Sequence, residues 1–163
     1  YKKIKKQVSS LIKAITETKI NVTWIYPNND TGYKIILKEI KRIKNKNIKL
    51  ISNLERSDFI ELLRNSSGMI GNSSSGIIEA SMFKKPVINI GSRQVGRPQS
   101  KNIINSDNTK DEIVKKIIFI KSNKKFLNGL KNCKNPYFKK NSSEVIFKII
   151  NSLSKNDKIF SKY

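Results

Sequence analysis

An α/β fold with a doubly wound parallel sheet is predicted by three features of this sequence. Short apolar runs alternate with amphipathic segments of roughly 8 to 15 residues. The apolar runs are rich in Ile and Val and are closed by Pro, Gly, Asn or Ser, as buried parallel strands are. Polar loops of small residues follow three of these runs, at 27–32, 71–76 and 91–98, and in such a sheet ligands bind beyond the carboxyl ends of the strands. At 163 residues the chain is long enough for one domain with a substantial core, and neither a linker nor a repeat divides it.

The elements follow in order. Ile4, Val8, Leu11, Ile12 and Ile15 recur at helical spacing, so residues 3–18 form a helix. NVTWIYP, 21–27, is a β-rich run closed by proline and forms a strand. Asp30 or Thr31 is placed to cap a helix over about 32–44, with Ile35, Ile36, Ile40 and Ile43 inward. IKLIS, 48–52, is the second strand, and Ser57 is placed to cap a helix over 58–65 bearing Phe59, Leu62 and Leu63. GMIGN, 68–72, is the third strand; a helix then starts near Ser74 or Ser75 and runs to about Met82. PVINIG, 86–91, is the fourth strand and NIINS, 102–106, the fifth. Thr109 caps a helix with Ile113, Ile117 and Ile118 on its apolar face. Shorter helices are expected near 123–130 and 142–153, with 154–163 frayed.

A net charge of +22 raises nucleic acid as a partner. Two observations argue against it. Lys, Ile and Asn, at 29, 27 and 19 residues, make up nearly half the chain, the mark of AT-rich coding, while Arg occurs five times. The charge also avoids the segment with unusual chemistry, since residues 51–100 hold six Lys or Arg against four Asp or Glu. A basic nucleic-acid-binding domain further requires aromatics interleaved with the charges, whereas Trp24, Tyr26 and Phe59 fall at core positions of predicted elements.

No run of 18 apolar residues is present, so no membrane span is expected. The start, YKKIKKQVSS, has no apolar region of a signal peptide and no initiator Met, so the chain is expected to be part of something longer. One cysteine, Cys133, and no histidine exclude a disulfide framework and argue against zinc; no metal and no cofactor are expected, and the compartment is expected to be cytoplasmic.

The stretch GNSSSGIIEA, 71–80, leads from a strand into a helix through residues too small to fill a core. The first turn of a helix presents unpaired N–H groups and a partial positive charge, and Gly71, Ser73, Ser74, Ser75 and Gly76 leave the approach to it open. It is neither a P-loop nor a dinucleotide glycine motif. On the residues alone, it is either an anion site or an ordinary serine-capped helix. Glu79, one turn on, suits neutral hydroxyls such as those of a ribose, or else a capping-box bond back to the helix start. Arg93 and Arg97, in SRQVGR, offer guanidinium groups for phosphate oxygens, or are surface arginines.

Taken together, GNSSSGIIEA, KKPVINIGSRQVGR and YPNNDTG resemble the C-terminal half of UDP-N-acetylglucosamine 2-epimerases, nearest the hydrolysing branch of sialic and nonulosonic acid synthesis. The resemblance runs from about residue 20 to 120, and the three motifs keep their order and spacing. It implies one Rossmann-like half of a GT-B architecture, here residues 1–163 as the C-terminal UDP-binding domain, without the N-terminal domain. It also implies that Ser73 and Ser74 bind the diphosphate, Glu79 the ribose, Arg93 a phosphate and Leu54 the uracil, with Asn28 on the nucleotide side of the cleft. Gly91 and Gly96 would let the arginine loop turn, and Lys34 matches a position linked to an effector site in some members.

The reaction so implied eliminates UDP to leave a glycal, then adds water to give N-acetylmannosamine. It needs an acid and a base. In the family these are carboxylates of the N-terminal domain and a histidine, and this chain has no histidine. The expectation is therefore a nucleotide-binding part that is inactive alone and dimeric when full length. The other enzyme reading is the nucleotide domain of a GT-B glycosyltransferase, against which the linked motif NIGSRQVGR argues.

Overall fold

The computed structural model describes residues 2–153. The predicted fraying of 154–163 lies outside the described residues. Helix α1 (Lys2–Thr18) leads to strand β1 (Val22–Ile25), α2 (Tyr33–Ile40), β2 (Ile48–Ile51), α3 (Arg56–Asn65) and β3 (Met69–Gly71). Then come α4 (Ser74–Ile78), a 3-10 turn (Ala80–Phe83), β4 (Val87–Ile90), β5 (Ile103–Ser106), α5 (Lys110–Ser122), α6 (Lys124–Gly129), a second 3-10 turn (Leu130–Asn132) and α7 (Ser142–Ser152).

All strand pairs among the described residues are parallel. Val22 lies opposite Ile48 in the β1–β2 pair, while Met69 lies opposite Val87 and Val87 opposite Ile103 in the order β3–β4–β5. The strands thus form a two-stranded and a three-stranded ladder, where the sequence predicts one sheet. Strand β3, three residues long, gives its ladder groups to β4 only.

Successive side chains of a strand point to opposite faces, and β4 is buried on both. On one face Ile88 and Ile90 pack with Ala14 of α1 and Ile113 and Ile117 of α5. On the other, Val87 packs with Leu63 of α3 and Ala80, and Phe59 closes against them. Phe59 is thus half-buried, packed against this cluster and not part of its buried core. Trp24, in β1, and Tyr26, just beyond its end, are likewise half-buried where core positions were expected. Ile118, placed with Ile113 by periodicity, is exposed.

Several element ends differ from expectation. Neither Asp30 nor Thr31 caps α2; its N-cap is Gly32, in the left-handed region at φ 88°. The helix stops at Ile40, four residues short of the predicted end. Ser57 does not cap α3, because the helix begins earlier, at Arg56. Thr109 does cap α5, accepting from the Glu112 N–H. In α7, Ile146, Phe147, Ile149 and Ile150 are exposed.

The turn before α5 carries a pH-sensitive contact. Asp107 Oδ1 accepts hydrogen bonds from the Thr109 N–H at 2.8 Å and hydroxyl at 2.6 Å. Those bonds favour the carboxylate and hold its pKa below the ordinary value. A depressed folded pKa means stability present above the unfolded value and lost as pH falls through the folded one. Asp107→Asn is thus expected to lower the melting temperature modestly at neutral pH and to flatten the acid limb, the two proteins converging as pH falls below about 4.

Candidate functional site

The carboxyl ends of β1, β3 and β4 feed the three loops singled out above, and two hydrogen-bonded contacts join them. Arg93 Nη2 donates to Asp30 Oδ2 at 2.9 Å, bridging the loop after β4 to the loop after β1. Gln94 Nε2 donates to the Asn72 carbonyl at 2.7 Å, bridging the loop after β4 to the loop after β3. The Gln94 side chain is buried and its Oε1 has no partner among the described residues. Loops 27–32, 71–76 and 91–98 therefore form one surface.

The glycines make the third loop possible. Gly91 and Gly96 lie at φ 76° and 83°, in a region that residues with a Cβ rarely adopt. Gly76 acts differently from the expectation that it opens the ligand approach. It is buried, and a Cβ there would stand 2.9 Å from Val87 Cγ1, so its absence lets α4 pack closely on β4.

Ser73 is the N-cap of α4, its hydroxyl accepting from the Ser75 N–H at 3.3 Å. The α-helix that follows has only five residues, ending at Ile78 rather than near Met82, and a 3-10 turn continues it. A helix this short contributes little macrodipole, so an anion here would rely on the first-turn N–H groups and on the hydroxyls of Ser73 and Ser74. Ser73 and Asn72 are exposed, and Ser74 and Ser75 are half-buried.

Glu79 ends α4 as its C-cap, its backbone N–H donating to the Ser75 carbonyl at 2.9 Å, while its side chain turns to Arg56 and not to the helix start, so the capping-box alternative does not hold. Its Oε1 lies 2.6 Å from Arg56 Nη1, and its Oε2 is buried with no partner among the described residues. Asn135 Nδ2 donates to the Ile78 carbonyl at 2.8 Å, anchoring the residue before it. Arg56 opens α3, two residues after the half-buried Leu54, and so ties the loop after β2 to the end of α4.

Asn28, Arg93 and Arg97 are exposed on this side, as is Lys34 in the first turn of α2. Arg97 has no ion-pair partner among the described residues. The ion pair of Arg93 with Asp30 joins two side chains 53% and 58% exposed, a class of pair worth at most about 1 kcal/mol, so a stronger anion can replace it. Sequence reasoning missed Arg56, Gln94 and the pairing of Asp30. Each is a polar residue just past a strand, which was the available signal, but the partners are distant in the chain.

A cavity of about 690 Å³ lies elsewhere, at the amino ends of β1 and β2, lined by Thr16, Lys19, Arg42 and Asn47 among others. It contains none of the residues above. Among the described residues no cluster of His, Cys, Asp or Glu could hold a metal ion, and no helix is long and apolar enough to cross a membrane.

UDP-N,N'-diacetylbacillosamine 2-epimerase (hydrolyzing) of Legionella pneumophila is 44% identical over 112 residues, 68% of this chain and 30% of its own length. Polysialic acid biosynthesis protein P7 of Escherichia coli is 34% identical over 153 residues, 92% of this chain and 39% of its own. The chain thus spans less than half the length of these relatives. Among solved structures, the UDP-GlcNAc 2-epimerase of Methanocaldococcus jannaschii, in complex with UDP-GlcNAc and UDP, superposes with a TM-score of 0.68. It is 22% identical, and the match covers 91% of this chain and 40% of that one. The likeness gives the fold: α/β, with parallel strands, Rossmann-like, one half of a GT-B architecture. The family profile described as UDP-N-acetylglucosamine 2-epimerase matches residues 2–151, and the chain belongs to that family.

Proposed function

We propose that residues 1–163 are the UDP-binding, C-terminal part of a longer hydrolysing UDP-N-acetylglucosamine 2-epimerase. The observation that carries the reading is the meeting of loops 27–32, 71–76 and 91–98 on one surface, with an arginine held there by an exchangeable partner. In this reading the diphosphate sits at Ser73 and Ser74 and takes Arg93 from Asp30. Glu79 receives the ribose hydroxyls. Leu54 contacts the uracil, Asn28 borders the nucleotide and Arg97 lies at the cleft edge. Lys34 stands where some members place an effector.

The full reaction eliminates UDP from UDP-N-acetylglucosamine, or from a diacetamido-trideoxy relative, and hydrates the glycal to the 2-epimer. What this chain contributes is grip on the leaving nucleotide. Binding of the developing diphosphate by a guanidinium and first-turn N–H groups stabilises charge as the glycosidic C–O bond breaks. The acid and base for that step belong to the remainder of the enzyme, together with sugar discrimination. We assign the full protein to the cytoplasm, as a homodimer.

The test is binding without turnover. Calorimetry of this chain with UDP is expected to give a Kd of ~0.1–1 mM, weak because part of the cleft is absent. A coupled UDP-release assay with UDP-N-acetylglucosamine is expected to stay at background; clear turnover would overturn the assignment of the acid and base to other segments. Glu79→Gln is expected to weaken UDP by ~1–3 kcal/mol, since a charged acceptor becomes neutral. It should also remove most of the penalty for 2′-deoxy-UDP, because the two changes delete the same contact.

A further inference from the structure

We propose that Arg56 is a positioning residue for the ribose site: it holds one oxygen of Glu79 and so presents the other to the sugar. The proposal rests on the UDP reading given above. Arg56 Nη1 lies 2.6 Å from Glu79 Oε1, a charge-assisted contact. Glu79 Oε2 is buried and has no partner among the described residues, an arrangement that is costly unless something else supplies a donor. A hydroxyl pair supplies it. One oxygen of the carboxylate is thus committed within the protein and one is left to accept.

The placement of Arg56 makes this specific. It is the first residue of α3, and Leu54, the proposed base contact, lies two residues before it. One short segment therefore reaches both the base and, through the guanidinium, the carboxylate that reads the ribose. Glu79 sits where α4 gives way to the 3-10 turn, with the Asn135 contact anchoring the backbone just before it. In the unliganded chain Oε2 is covered, so the ribose hydroxyls reach it as the Glu79 side chain turns about its earlier torsions, a movement that the long, 74% exposed Arg56 side chain can follow. Without Arg56 the carboxylate would have to be ordered at the moment of binding, and affinity would fall by that cost. Arg56 is 74% exposed, so its removal should leave the core intact.

Calorimetry with UDP and with 2′-deoxy-UDP, on the unmodified protein, Arg56→Ala, Arg56→Lys and Glu79→Gln, tests the proposal. Arg56→Ala is expected to weaken UDP about 5- to 10-fold and 2′-deoxy-UDP much less, bringing their affinity ratio towards one. Arg56→Lys should recover part of the ratio, because an ammonium restores the charge but not the planar fork. If Arg56→Ala melts low, Arg56→Gln, which keeps the stem, takes its place. A ratio unchanged by Arg56→Ala but collapsed by Glu79→Gln overturns the role of Arg56 alone. Tighter UDP binding by Arg56→Ala also overturns it, since Arg56 would then be a competitor for Glu79. A ratio unchanged by Glu79→Gln removes Glu79 from the site, and the proposal with it.

Discussion

Arg93→Ala is expected to weaken UDP binding in the full-length protein by about 2–3 kcal/mol, roughly 30- to 150-fold, the usual loss when a charge-assisted pair is truncated in a partly desolvated site. Arg93 reaches across from the loop after β4 to Asp30 in the loop after β1, so its guanidinium is already held where two loops meet. Both partners are about half exposed, and the pair contributes little to folding. The loss should therefore appear in affinity, with the melting temperature of the unliganded protein nearly unchanged. Arg97→Ala should cost less, because Arg97 is exposed beyond the second loop glycine and no contact directs it towards the serines. Titration calorimetry of both variants decides the point: equal losses would show that the two arginines share the phosphate role.

Ile113→Ala is expected to destabilise the fold by about 2–5 kcal/mol, and Ile118→Ala by less than about 0.5 kcal/mol. Both lie on α5 and both are isoleucine. Ile113 is fully buried between α1 and β4, in the cluster with Ala14, Ile88 and Ile90, so alanine leaves a cavity whose walls cannot fully collapse. Ile118 is 54% exposed and leaves only a shallower surface. Urea denaturation of the two variants measures the difference. Comparable losses would place Ile118 under some other element and contradict the packing of α5 described above.

That pair of isoleucines marks where sequence reasoning stops for the fold. Periodicity places Ile113, Ile117 and Ile118 on one apolar stripe, but a stripe is wider than the contact a single sheet face provides. Which edge of it is covered depends on the position of α1, an element about 100 residues earlier in the chain. Capping was legible where the chemistry is local, as at Thr109, which accepts from an N–H three residues on. It was not legible at Asp30, whose carboxylate is drawn to an arginine 63 residues away instead of to its own helix.

The sequence by itself determined the α/β class, the order of strands and helices, and the polar loops that hold the candidate site, because hydrophobic period, turn residues and Gly-Ser spacing are short-range signals. The family resemblance, too, was carried by those three loops. Only the tertiary structure decided that the strands form two ladders, that Gly76 serves helix packing, and that Asp30, Arg56 and Gln94 partner the site. Each of those outcomes depends on groups far apart in sequence meeting at one end of the strands. The residue spacing along a chain holds no record of that distance until the core has packed.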